Sequence, residues 1–206
     1  LGRRTTMAQD GLGRPVRVDY PDGTFELTAY DAGNNVVAET DRAGRTTHHE
    51  YDELDRRVRT VLADGASTRT VLSAGGRLLA SIDALGNRID YGYDSAGRLT
   101  TTTLPAVQDA GAGPPVRPVI SRTLDALGQP ATTTDAKGRV TQYLYDADGH
   151  LVKTTFADAS AISQDYDALG RRTRIVDEDG KSTQFTYDGL GRLATVSGLA
   201  GNATYA

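Results

Sequence analysis

Four groups of residues in this chain carry side chains that could do chemistry. His48 and His49 stand next to each other. Asp146, Asp148 and Gly149 lead into His150, and Asp177, Asp179 and Gly180 lead into Lys181. Arg14, Arg56, Arg77, Arg98, Arg171 and Arg192 each stand four residues after an Asp or, for Arg77, a Ser. An imidazole pair suggests a metal or a proton relay, and Asp-x-Asp-Gly suggests a calcium loop. A recurrent acid and base suggests general acid–base catalysis.

Each of these has a simpler reading in its own spacing. Neighbouring residues of a strand point to opposite faces, so His48 and His49 cannot easily share an ion. A calcium loop of the EF-hand type needs more ligands and a distal Glu, and both acidic stretches lack them. Asp before Gly is already explained by turn chemistry. A catalytic constellation is assembled once from dissimilar parts, whereas the Asp–Arg spacing recurs along the whole chain. There is no Gly-x-Ser-x-Gly, no phosphate loop and no Cys/His set. The expectation is a protein that is not an enzyme, with no catalytic, cofactor-binding or metal residues. Asp then caps a turn, and Arg offsets neighbouring acids.

The elements that carry these residues are repeats. Tyr-Asp occurs at 30–31, 51–52, 93–94, 145–146, 166–167 and 187–188, and steps of 21 residues find degenerate copies at Gln9-Asp10, Leu72-Ser73 and Leu124-Asp125. The single longer step, from Asp94 to Asp125, is 31 and contains the Pro/Gly-rich stretch at about 104–120. Three residues after the Asp position stand Gly, Asn34 or Asp55, the types that take positive φ most cheaply. A second Gly follows at 23, 44, 65, 86, 138, 180 and 201, with Ala159 the exception. Between turns lie runs of about seven residues rich in Thr, Val and Ile, enough for a strand of about 23 Å. "STQFTYD" alternates, placing Thr183, Phe185 and Tyr187 on one face.

The repeats alternate in kind. Ten residues after the Asp position an acid (Asp41, Asp83, Asp135, Asp177) alternates with Tyr20, Leu62, Leu104, Phe156 and Gly198. His49, Tyr91, Tyr143 and Phe185 likewise alternate with Thr28, Thr70 and Gln164. The predicted organisation is one array over residues 1–206 of 21-residue hairpins, paired into 42-residue double units, with a loop insertion at about 104–120. The predicted fold class is all-β: about nine consecutive hairpins in a long, curled antiparallel sheet, since open sheets that wide twist or close.

Composition agrees. Of 206 residues, 38% are hydrophobic, with three Phe, no Trp and 23 Gly, too little to fill a thick core. A net charge of −4 with interspersed signs argues against nucleic-acid binding. No apolar run approaches the ~20 residues of a membrane-spanning helix. The absence of Cys excludes disulfides and thiolate metal sites. Leu1-Gly2-Arg3-Arg4-Thr5 is neither a Met start nor a signal peptide, so a fragment of a longer chain is expected.

The motif Tyr-Asp-x-x-Gly-Arg, as in "YDALGRR" and "YDSAGRL", with "DEDGKSTQFTYD" leading into the next copy, resembles the YD repeat of the RHS family. That family includes bacterial RHS polymorphic toxins, insecticidal toxin-complex shell proteins and, distantly, teneurins. The resemblance implies a wall segment of a spiralling β-shell that encloses a toxin domain. Its partners would be the remainder of the shell and that toxin. It also implies export, to a secreted or cell-surface location, as part of a larger bacterial protein. The alternative it raises is an adhesive module that binds carbohydrate or a cell-surface receptor.

Overall fold

The structure, a computed structural model, describes residues 4–108 and 114–198 and the backbone of 201–204. Among them there are nineteen strands and no helix. Two compact units divide the chain, Leu1–Gly92 with Thr103–Arg117, and Tyr93–Thr102 with Pro118–Ala206.

The first unit is built on β1 (Thr6–Gln9), β2 (Pro15–Asp19), β3 (Phe25–Tyr30), β4 (Val36–Thr40), β5 (Thr46–Tyr51), β6 (Arg57–Val61), β7 (Ser67–Leu72), β8 (Leu78–Ile82) and β9 (Arg88–Tyr93). Each pairs antiparallel with the next. The second is built on β10 (Leu99–Thr103), β11 (Val119–Leu124), β12 (Pro130–Thr134), β13 (Val140–Tyr145), β14 (Leu151–Thr155), β15 (Ala161–Tyr166), β16 (Arg172–Val176), β17 (Ser182–Tyr187), β18 (Leu193–Gly198) and β19 (Gly201–Thr204). From β11 onward these too pair antiparallel in chain order. Both units are meanders of hairpins.

Turn chemistry sets the register. At the turn after β1, the Gly13 amide donates to Asp10 O at 3.0 Å and the Asp10 amide to Arg14 O at 3.0 Å. Gly13 has φ 79°, and the ladder slips by one residue beside Gln9. This is a type I turn closed by a bulge residue in the left-handed region. Asn34, Asp55 and Ala159 are the non-glycines there, at φ 69°, 57° and 70°. Asn and Asp tolerate the region, whereas Ala gains nothing from it.

Gly201 departs from the predicted turn position. It opens β19, directly opposite Gly198. Gly198 also lies against β17, where a Cβ would stand 3.0 Å from Thr183 Oγ1. β18 therefore runs on to Gly198, one residue further than β16 and its equivalents, before β19 pairs back on it.

The sheets hold little core. Among the described residues only Ala80 and His49 are buried. Strands such as β13 and β17 alternate between half-buried and exposed positions, with Tyr143, Tyr145, Phe185 and Tyr187 on the half-buried side.

Candidate functional site

The recurrent Asp and Arg meet at the turns. Asp10 Oδ1 accepts the amides of Leu12 and Arg14 at 2.9 and 3.0 Å, and Oδ2 accepts Arg14 Nε at 2.7 Å. The Arg14 amide, joined by the guanidinium and the Leu12 amide, holds this carboxyl below its ordinary value, against burial, which pushes it upward more than either of those two pulls it down. Asp52 with Arg56, Asp167 with Arg171 and Asp188 with Arg192 repeat the arrangement. In Asp52 and Asp167 the guanidinium is the largest cause of the downward shift.

The same Arg reaches the next hairpin. Arg14 Nη1 donates to Asn34 Oδ1 at 3.0 Å, and its guanidinium carbon lies 4.4 Å from the Tyr30 ring centroid. Arg56 Nη1 donates to Ser73 O at 3.0 Å, and Arg171 covers the Tyr187 ring at 4.6 Å. The Tyr reaches back in turn. Tyr51, Tyr166 and Tyr187 hydroxyls donate to Val36, Leu151 and Arg172 carbonyls at 2.9, 3.2 and 2.8 Å. Each receiving carbonyl is on the residue just after the Arg position of the preceding turn. Tyr-Asp-x-x-Gly-Arg is thus a clamp from one hairpin to the next.

At the opposite turns the acid takes two alternating places. Asp41, Asp83, Asp135 and Asp177 cap from the first turn position. Where that position is Tyr20, Leu62 or Phe156, the cap comes from the third: Asp22, Asp64 and Asp158 accept the amides of Thr24, Ala66 and Ser160. The acid moves two places and is kept.

Residues 30–67, 73–106, 125–161 and 166–203 match the profile of the RHS Repeat family, covering well over half of the chain. The chain belongs to the RHS repeat family. No match is found among curated proteins. Solved structures similar to this RHS array include TcdB2-TccC3 without its hypervariable C-terminal region, at 15% identity and TM-score 0.41, covering 95% of this chain and 16% of that one. TcdB2-TccC3-Cdc42 is similar at 15% identity and TM-score 0.41, over 95% of this chain and 17% of that one. A Tc holotoxin pore of Photorhabdus luminescens is similar at 16% identity and TM-score 0.36, over 95% and 16%. The RHS array thus spans about a sixth of the length of these chains.

His49, Asp146, His150, Asp177 and the paired Asp and Arg residues make contacts within this array. His48 is exposed and His49 buried, on the two faces of β5. His49 Nε2 lies 3.2 Å from Glu39 Oε2 and Nδ1 lies 3.2 Å from Thr60 Oγ1. Tyr91 and Tyr143 reach Ser81 and Thr133, the residues equivalent to Glu39, at 3.3 and 3.2 Å. His49 therefore does a tyrosine's work.

Asp146, Asp148 and His150 come together, with one ligand atom of each within 4.8 Å of the others. Asp146 Oδ1 accepts the Asp148 and His150 amides, and its Oδ2 lies 3.1 Å from His150 Nδ1. Burial pushes Asp146 upward, yet the His150 amide and ring outweigh it and the net shift is downward. The His150 ring stacks on Tyr166 with centroids 4.8 Å apart, as Arg171 does on Tyr187. The group is the interhairpin clamp with His in the Arg place. Asp177 caps its turn, and Asp179 pairs with Lys181 at 3.1 Å.

In the first unit a groove of about 740 Å³ runs between Glu26, Glu39, Asp41 and Asp64. Each of these carboxylates is engaged, by the Tyr20 hydroxyl, His49, Arg45 and the Ala66 amide respectively. Sequence reasoning missed the third-position caps. Their signal was available in Asp22-Gly23, Asp64-Gly65 and Asp158-Ala159. It also missed Arg117, whose role depends on a partner far away in the sequence.

Proposed function

We propose that this chain is a wall segment of an RHS-type β-shell that encloses and shields a toxin domain, exported as part of a larger bacterial protein. Membership of the RHS repeat family supports a structural role rather than a catalytic one. The observation that carries the reading is the clamp. While paired with the Asp of their own turns, Arg14 and Arg56 donate to the adjacent hairpin and Arg171 covers a ring there, and the Tyr51, Tyr166 and Tyr187 hydroxyls donate back the other way. A surface organised this way propagates a sheet. In repeat arrays stability is close to a sum of unit and interface terms, so contacts between hairpins are what a wall needs.

Its partners in this reading are the rest of the shell and the enclosed domain. No helix among the described residues is long and apolar enough to cross a membrane. Electron cryomicroscopy of the full-length protein tests the proposal. A hollow shell with these hairpins in its wall and density inside supports it; an extended or solid particle overturns it.

A further inference from the structure

The insertion breaks the turn pattern at one place. Leu104 occupies the position of Tyr20, Leu62 and Phe156, and Arg117 that of Gly23, Gly65 and Ala159. In the regular turns, the amide of the latter residue donates to the carbonyl of the former: Gly23 to Tyr20 at 3.0 Å, Gly65 to Leu62 at 2.9 Å, Ala159 to Phe156 at 3.0 Å. With the insertion present, Leu104 O is still satisfied, but by Arg117 Nε at 3.1 Å. Arg117 Nη2 takes two further carbonyls, Arg88 O at 2.7 Å and Thr103 O at 3.3 Å. Its Nη1 donates to Asp90 Oδ2 at 2.6 Å. The guanidinium stands in for the lost turn.

Asp90 is fitted to the same task. At the equivalent strand position the other double units have His48, Gln142 and Gln184. Asp90 divides its oxygens, Oδ1 accepting from Arg88 and Oδ2 from Arg117. Both partners of the Arg117 pair are about one-third exposed. Beyond Leu104 the two arms of the insertion meet at Val107 and Val116, whose amides and carbonyls exchange hydrogen bonds at 2.9 and 3.0 Å.

We propose that Arg117 and Asp90 form a latch that holds the base of the insertion against β9. Arg117 is a positioning residue. Its planar fork satisfies several acceptors at once, which a Lys ammonium cannot do with the same geometry. The latch takes the place of the turn hydrogen bond at the base of the insertion. It also makes the attachment of the arm dependent on ionic strength, because a one-third exposed ion pair is partly screened by salt.

Hydrogen exchange of the intact protein tests this directly. In Arg117→Ala the Val107 and Val116 amides are expected to exchange about tenfold faster or more, with the amides of β13 unchanged. Arg117→Lys should fall between that variant and the wild type. Asp90→Asn, which preserves size and leaves Arg117 in place, should give a smaller acceleration. It should also abolish the faster exchange that raising salt to about 1 M produces in the wild type. Unchanged exchange at Val107 and Val116 in both Arg117→Ala and Asp90→Asn would overturn the latch. So would acceleration spread equally over the arm and β13, since that describes general support of the sheet.

Discussion

Arg171 pairs with Asp167 in its own turn at 2.7 Å and lies over the ring of Tyr187 in the next hairpin, 4.6 Å from its centroid. One side chain thus closes a turn and joins two repeats. Arg45 pairs with Asp41 at the same distance, but its side chain is 73% exposed against 29% for Arg171. Exposed pairs contribute little, and a cation held on a ring contributes more as it is desolvated. Arg171→Ala should therefore lower the thermal midpoint several times as much as Arg45→Ala. Equal shifts would mean that the contact with Tyr187 is idle.

Ala159 offers a gain rather than a loss. It holds φ 70° where the equivalent turns have glycine. Non-glycine residues in that region cost about 1 kcal/mol, so Ala159→Gly should stabilise by about that amount in denaturant unfolding. The converse at Gly170 should cost more than at Gly44. A Cβ at Gly170 would stand 2.7 Å from His150 Nε2, whereas at Gly44 it meets nothing within 4 Å.

These positions show what a sequence can give away. Turn glycines are legible because a positive φ is a local demand, met within four residues of chain. The slot shared by His49, Tyr91 and Tyr143 was legible as a packing position, though the hydrogen bond each makes across the sheet was not. Arg14 over Tyr30 and Arg117 on Asp90 depend on which strands lie side by side, and only the folded register supplies that. The same limit hid the shorter connection between β18 and β19. There Gly198 lies against Thr183 of β17 and pairs directly with Gly201.

The turn carboxylates set an acid limit. Asp10, Asp41, Asp52, Asp135, Asp167 and Asp188 are all held below the ordinary 3.8 by Arg side chains and turn amides. A folded value below the unfolded one contributes stability that is complete above the unfolded value and lost as pH falls through the folded one. The thermal midpoint should therefore be flat through neutrality and fall as pH drops below about 4. A midpoint that holds steady down to about pH 2 would contradict this assignment.

His49→Tyr should change stability by less than about 1 kcal/mol, since Tyr91 and Tyr143 fill the same slot and make the same cross-strand contact. Tyr143→Thr should cost about 2 kcal/mol, less than for a fully buried ring because Tyr143 is only half-buried. Chemical unfolding of both variants checks the pair. A His49→Tyr variant much less stable than Tyr143→Thr would return His49 to consideration as a site.

Enclosure is the central claim, and limited proteolysis of the full-length protein tests it most directly. The account predicts that a domain carried inside the shell resists protease while the hairpins stay folded. It should become cleavable at the pH or temperature at which the hairpins melt, and an acid-induced opening should follow the titration of the turn carboxylates. Rapid cleavage of that domain while the hairpins remain intact would contradict the account.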